Sequence, residues 1–162
     1  MFSGIIENRG IVSDFKKLKD YRLVVSTDLN FKDIKNGSSV CCNGVCLTVT
    51  SKKKLLNKTI LSFDVSRETV NCTNFNQLKI GDTINIEKSL RVGDEISGHF
   101  VFGHVDDIAS LISSKKIDGS YELKFKIPKN LKKFIVKKGS IAINGISLTI
   151  NNIKRNEISL NI

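Results

Sequence analysis

Two histidines, His99 and His104, are the only imidazoles in the 162-residue chain, and both fall in the stretch Glu87 to Asp106, EKSLRVGDEISGHFVFGHVD. Imidazole changes charge near neutral pH, so either could pass a proton during a reaction. Ser39 and Cys46 add an oxygen and a sulfur that could activate a water or act as nucleophiles. Each has a plainer alternative. On a strand, histidines five positions apart point to opposite faces, so one of them can be a hydrogen-bonded structural residue. Cys46 can be a packing thiol at a pocket wall, since nothing in the sequence implies a depressed pKa.

These groups sit in a duplicated chain. Ser39-Val-Cys-Cys-Asn-Gly-Val-Cys-Leu-Thr-Val-Thr50 and Ser140-Ile-Ala-Ile-Asn-Gly-Ile-Ser-Leu-Thr-Ile-Asn151 share Ser, Asn-Gly and Leu-Thr in place, and Gly4-Ile-Ile-Glu7 is echoed by Gly103-His-Val-Asp106. A period of about a hundred residues is too long for a solenoid and points to two related domains, here residues 1–96 and 97–162. Alternation along Val45 to Thr50 turns Val45, Leu47 and Val49 inward and Cys46, Thr48 and Thr50 outward; in the second copy Ile146, Leu148 and Ile150 face in while Ser147, Thr149 and Asn151 face out. Each half therefore presents a small polar strip on the outside of a strand. A solvated strand face gives the same pattern, but here the strip recurs where the rest of the repeat has diverged.

Composition sets the class. With 40% apolar and 26% charged residues the chain is an ordinary globular one. No apolar run approaches the ~20 residues of a membrane helix, and Met1 to Glu7 lacks the basic start and apolar core of a signal peptide, so the cytoplasm is expected and a membrane partner is not. Cys41, Cys42, Cys46 and Cys72 lack metal-ligand spacing and read as free, mostly buried thiols. The net charge of +10 invites nucleic acid, but the lysines are scattered in short groups without interleaved aromatics, and solvated faces explain them; no nucleic-acid partner is expected.

The elements that must carry the strips are short strands. Phe2 to Val12 and Tyr21 to Ser26 read as strands, Thr27 to Ile34 as a short helix capped by Thr27 or Asp28 and ending at Asn36-Gly37, and Asn43-Gly44 as a tight hairpin turn. Thr59 to Val65 and Asp82 to Glu87 supply two more strands. Such a set suggests a closed antiparallel barrel. The second half repeats it through Tyr121 to Ile127, a helix from Pro128 to Val136 and the Asn144-Gly145 hairpin. Ile158 to Ile162 matches Leu61 to Val65, and nothing follows that would match the strand Asp82 to Glu87. The expected fold is all-β: two similar six-stranded antiparallel barrels in tandem, each with a short helix, the second incomplete with an open sheet edge.

In this order and spacing, Met1-Phe-Ser-Gly-Ile-Ile-Glu7, Asn43-Gly-Val-Cys-Leu-Thr-Val49, Phe63-Asp64 with Glu68-Thr69, Gly98-His-Phe-Val-Phe-Gly-His-Val-Asp106 and Asn144-Gly-Ile-Ser-Leu-Thr149 closely resemble the riboflavin synthases. The resemblance implies a double barrel with a C-terminal helix, a homotrimer, lumazine synthase as a further partner, and no metal or organic cofactor. The implied reaction is a transfer of a four-carbon unit between two molecules of 6,7-dimethyl-8-ribityllumazine, giving riboflavin and 5-amino-6-ribitylaminouracil. It also implies one lumazine site per barrel, the working site forming between barrels of neighbouring subunits.

Carried over residue by residue, the first site would use Phe2, Gly4, Ile5, Ile6, Cys46, Leu47, Thr48 and the run Asp64, Val65, Ser66, Arg67, Glu68 and Thr69. The second would use Gly103, His104, Val105, Lys138, Ser147, Leu148, Thr149, Asn161 and Ile162, with Ser39, Cys46, His99 and His104 as the reactive groups. Asn144 stands where the family's second barrel often has Asp, keeping the turn and losing the charge. The alternative function is a non-catalytic lumazine- or flavin-binding protein of the same fold; retention of both histidines, Ser39 and Cys46 favours the enzyme. The missing match after Ile162 leads us to expect either a longer native chain or an impaired 162-residue form, one that binds a lumazine on its complete first barrel, turns over poorly and runs smaller than a trimer.

Overall fold

A computed structural model describes residues 1–162. The first half forms a closed barrel of β1 (Asn8–Lys17), β2 (Tyr21–Thr27), β3 (Ser39–Cys42), β4 (Val45–Leu55), β5 (Lys58–Val65) and β6 (Thr83–Lys88), in the order β1-β2-β5-β4-β3-β6 with antiparallel pairing throughout. Alternate residues turn inward and build a core of 17 buried side chains, among them Leu23, Val25, Leu47, Val49, Leu61, Phe63 and Ile86. Val70 from the helix α1 (Arg67–Cys72) and Phe75 from the following 3-10 turn, Asn74–Gln77, join that core.

The second half repeats the elements of the first as far as β5, without α1, the turn after it or β6, and does not close. β7 (Ser110–Ile117), β8 (Ser120–Lys126), β11 (Asn152–Lys154) and β12 (Glu157–Asn161) form a four-stranded sheet ordered β11-β12-β8-β7, and β9 (Ser140–Ile143) pairs only with β10 (Ile146–Thr149). Its core is smaller, with Phe125, Ile127, Ile150, Ile158 and Leu160 buried. The duplication reaches irregular detail. β1 bulges between Val12 and Asp14, and β7 bulges at the equivalent place, between Leu111 and Ser113.

Several local expectations are corrected. The opening strand starts at Asn8 rather than Phe2, because Gly4, at φ 77°, turns the chain out of extended conformation. Thr27 to Ile34 holds only a 3-10 turn, Phe31–Asp33, capped by Asn30; Thr27 is the last residue of β2, and its hydroxyl bonds Asn8 Oδ1 at 2.9 Å. The segment after Pro128 is likewise a 3-10 helix, Lys129–Phe134, with Pro128 at its N-cap position. α1 was not foreseen: six residues are too few to show a 3.6-residue period, though Ser66, whose Oγ accepts from Thr69 N at 3.0 Å, is a standard N-cap. The histidines lie in no strand. Residues 89–109 are irregular apart from a single bridge between Val101 and Phe2.

That bridge joins the halves about a local twofold. Phe2 N donates to Val101 O at 2.8 Å and Val101 N to Phe2 O at 3.0 Å, while the Asn-Gly turns meet so closely that a Cβ on Gly44 would stand 2.9 Å from Gly145 N, and one on Gly145 would stand 2.9 Å from Gly44 N. Beside the bridge the buried Glu87 carboxylate accepts from Ser3 N at 2.7 Å, Ser3 Oγ at 3.0 Å and Gly4 N at 3.1 and 3.2 Å. Glu87→Ala would strand these donors in a dry place, so we expect a loss of about 2–4 kcal/mol of stability, with Glu87→Gln losing less. Urea denaturation of the two variants against the parent checks this; equal stability of all three would refute it.

Candidate functional site

The segments on either side of the bridge cross over. Gly4 O accepts from Ser147 N at 2.8 Å on the second half's strip, and Gly103 O accepts from Cys46 N at 2.8 Å on the first half's. Both crossings need glycine twice over. A Cβ on Gly4, at φ 77°, would come within 2.7 Å of Ser147 Cβ, and one on Gly103, at φ 79°, within 2.5 Å of Cys46 Cβ. The residues carried over from sequence are thus brought together in a different grouping: Gly4, Ile5 and Ile6 follow the strip of Ser147 and Thr149, and Gly103, His104 and Val105 follow that of Cys46 and Thr48. Sequence equivalence pairs like with like and is silent on which copy a segment is laid upon.

On the first strip Ser39 and Thr48 face each other across β3 and β4; Cys46 of the strip stands opposite Cys41, which lies off the strip, buried in the seam under Phe2 and Val101. All four leave the barrel's outer face. The β4–β5 pairing starts at Val49 opposite Phe63, and the carboxylate of the next residue on β5, Asp64, lies 3.5 Å from Arg22 Nε on β2. Cys46 and Ser39 are half-buried, and Thr48, Asp64, Ser66, Arg67, Glu68 and His104 are exposed, with Thr69 half-buried. Leu47 and Val65 point into the barrel core, so only their backbone can meet a ligand outside. Phe2, expected at a ligand, is fully buried in the seam with Cys41 and Val101. Val105 packs against the first core.

On the second strip His99 Nδ1 lies 2.6 Å from Ser147 Oγ, and His99 N donates to Ser3 O at 3.0 Å. Partial burial lowers the His99 pKa from its ordinary value, which keeps the ring neutral at pH 7 and leaves one ring nitrogen as an acceptor. A neutral imidazole against a serine hydroxyl can take its proton, or can give one to an oxygen in its place. Sequence reasoning placed Ser147 among the ligand contacts and missed it as the partner of a histidine 48 residues away. The signal available was its equivalence to Cys46. Thr149 and Lys138 are exposed; Lys138 sits in left-handed conformation, φ 67°, at the place of Gly37 in the first half, and both N–H groups bond the β-strand behind them, Lys138 to Ile150 O and Gly37 to Val49 O. Leu148 is half-buried, Asn161 and Ile162 exposed, and Asn161 Oδ1 accepts from Asn151 Nδ2 at 2.9 Å. Asn144 lies in the turn at the seam, at φ 48°, where its carbonyl accepts from Asn85 Nδ2 at 3.0 Å.

The two strips are open surfaces. A depression of about 740 Å3 between the β3–β6 side of the barrel and residues 89–97 is lined by Ser39 and Ile5 together with charged residues such as Lys35, Lys88, Arg91 and Asp94, but not by Cys46, His99 or Ser147. Ile5, Phe100 and Phe102 are exposed around the crossing segments. The four cysteines are free, Cys41 and Cys42 buried and Cys72 exposed.

Comparison with known proteins agrees with this geometry. The lumazine binding domain model matches residues 3–89 and 102–162. The riboflavin synthase of Buchnera aphidicola subsp. Schizaphis graminum is 41% identical over the whole chain and 77% of its own length, and that of Photobacterium leiognathi is 40% identical over the whole chain and 73% of its own. The crystal structure of LumP complexed with riboflavin superposes with a TM-score of 0.86 at 25% identity, covering 99% of this chain and 86% of that one. The duplicated barrels, the crossed glycines and the matches over both halves have one meaning: the chain belongs to the riboflavin synthase family.

Proposed function

We infer that the enzyme is a transferase that converts two molecules of 6,7-dimethyl-8-ribityllumazine into riboflavin and 5-amino-6-ribitylaminouracil, one lumazine lying on each strip. The observation that carries this reading is the duplicated strip with unequal chemistry. The reaction takes two identical molecules and must treat one as donor and the other as acceptor of a four-carbon unit. Here Cys46 of the first strip is matched by Ser147 of the second, His104 by Ile5, and only Ser147 has a histidine, His99, against it.

The lumazine's 7-methyl group is acidic because the ring delocalises the carbanion, so a weak base starts the reaction. The neutral His99 beside Ser147 supplies such a base at the second strip. At the first, Cys46, Ser39 and His104 are the groups for adding to, or protonating, the acceptor ring. Thr48, Asp64 to Thr69, Lys138, Thr149, Asn161 and Ile162 line the two ring positions, Leu47, Val65 and Leu148 contributing mainly backbone. Holding the rings face to face supplies much of the rate by orientation.

Open strips on one chain need a cover. The family resemblance makes that a homotrimer in which the first strip of one copy meets the second of another, and the exposed Ile5, Phe100 and Phe102 are apolar surface that such an assembly would bury. The free thiols fit the cytoplasm. A carrier that only holds its ligand has no use for the His99–Ser147 contact, which favours the enzyme.

Mixed with the lumazine alone, the protein should generate riboflavin absorbance, and a chelator should leave the rate unchanged; a ligand bound without turnover would make the protein a carrier. Replacing His99 with Gln should lower kcat by about 10²-fold with little change in KM, as general acid–base groups do. Equal losses in both would reassign it to binding. The lowered His99 pKa also carries a stability sign: the unfolded chain binds the extra proton more readily, so stability is full above the unfolded value near 6.5 and declines as pH falls through the lower folded one. The urea midpoint of the parent should therefore drop on acidification over that range more than that of His99→Gln, and parallel pH profiles would refute it.

A further inference from the structure

Cys41 belongs to neither strip, yet it lies directly opposite Cys46 across the β3–β4 hairpin. With Asn43-Gly44 as a two-residue turn, Cys42 and Val45 are the closing pair, and the next pair, Cys41 and Cys46, is a non-hydrogen-bonded one. The Cys46 N–H accordingly turns away from Cys41 to Gly103 O. In such pairs the Cα atoms stand about 4.5 Å apart, and opposed Cβ atoms about 4.5–5.5 Å, against the 4.4–6.8 Å and 3.5–4.5 Å that a disulfide spans. Both side chains leave the same face, Cys41 under Phe2 and Val101 with Cys46 packed against that cluster. The other thiols are placed elsewhere: Cys42 is in the barrel core and Cys72 is exposed on α1.

We propose that Cys41 and Cys46 form a reversible intrachain disulfide when the protein meets a hydroperoxide, which makes this hairpin an oxidation-sensitive modification site at the wall of the first strip. Cys46 is the half-buried member of the pair and meets the oxidant first. Its thiolate attacks one peroxide oxygen, the O–O bond breaks, and the products are a sulfenic acid and, after protonation, water. The Cys41 sulfur then attacks the Cys46 sulfur; the S–S bond forms, the S–O bond breaks, and the hydroxyl leaves as a second water with the Cys41 proton. Two thiols lose two electrons and the peroxide gains them. Burial, with the Glu87 carboxylate adding to it, pushes the Cys41 thiol up to about 12, which suits Cys41 to the resolving part and not to the first attack on the oxidant. Drawing the Cβ atoms together pulls the Cys46 sulfur off the strip toward the seam. The bond itself follows from the hairpin geometry, whereas its effect on turnover rests on the function proposed above.

The test treats the full chain with hydrogen peroxide, blocks remaining thiols with an alkylating reagent and maps the peptides without reduction. The peptide that holds Cys41, Cys42 and Cys46 should lose two hydrogens and take an alkyl group only at Cys42. Turnover should fall roughly tenfold or more, as displacement of a site group does, and dithiothreitol should restore it. Cys41→Ala, with the residue that the second half carries at Ala142, should keep the untreated turnover and show no loss that dithiothreitol reverses. Alkylation of both Cys41 and Cys46 after peroxide, oxidation of Cys46 to sulfinic acid without pairing, or a disulfide formed only between chains through Cys72 would overturn the proposal. A mapped Cys41–Cys46 bond with unchanged turnover would overturn the place of Cys46 in the first strip and leave the modification standing.

Discussion

Everything distinctive about this molecule depends on a carboxylate without a cation. Glu87, one residue before the end of the first barrel's last strand, is almost wholly buried, and a carboxylate can stand there only if its oxygens are met by donors. Ser3 and Gly4 supply them from the other end of the chain. Meeting that requirement fixes residues 2–4 against the linker, which in turn lets Phe2 pair with Val101 and aims Gly4 at Ser147. The ion is thus satisfied by two backbone N–H groups and the Ser3 hydroxyl, and the backbone so held becomes part of a site in the other half.

Duplication usually yields two copies of one function, but a reaction between two identical molecules needs copies that are alike in shape and unlike in chemistry. The strips meet both conditions. Their geometry is repeated down to the paired glycines, the Asn-Gly turns and a bulge in the equivalent strand. Their side chains differ at the points that matter, sulfur against oxygen and imidazole against an aliphatic group. His99 increases the difference, because of the two strips only that of Ser147 has an imidazole hydrogen-bonded to it.

Much of this was legible in the residues. The Asn-Gly turns and the strict alternation of Val45 to Thr50 fixed which faces are inner and outer, and the barrel core follows them. Most strands of the first half were readable for the same reason, since period-two patterns need only local information, and the open second sheet was readable from the repeat, which has no match to the strand Asp82 to Glu87; β7 and β11 were not read, β7 being exposed along its whole length and β11 only three residues long. What was not readable falls into two kinds. Short elements such as Phe31–Asp33 and α1 are too brief for periodicity and are decided by single caps, Asn30 and Ser66. The crossing of the glycine segments and the His99–Ser147 contact are long-range facts: a repeat says which residues correspond, and only packing says that each segment is laid on the other copy's strand. The histidines were misplaced onto a strand, whereas the segment that follows His99 bonds across the seam to residues 2 and 46 instead of to a neighbouring strand.

The local twofold has a consequence for how such a chain could arise. Phe2 with Val101 and Gly44 with Gly145 are reciprocal contacts, each residue meeting its own counterpart, which is the signature of an isologous interface. If the linker is cut in thought, what remains is a pair of chains, related by the twofold at their seam, whose leading segments are exchanged, each laid on the other's sheet. Such a pair is complete only as a pair, and joining its two genes end to end would preserve every contact while freeing each copy to drift separately. The asymmetry between Cys46 and Ser147 is a freedom that a dimer of identical halves does not have.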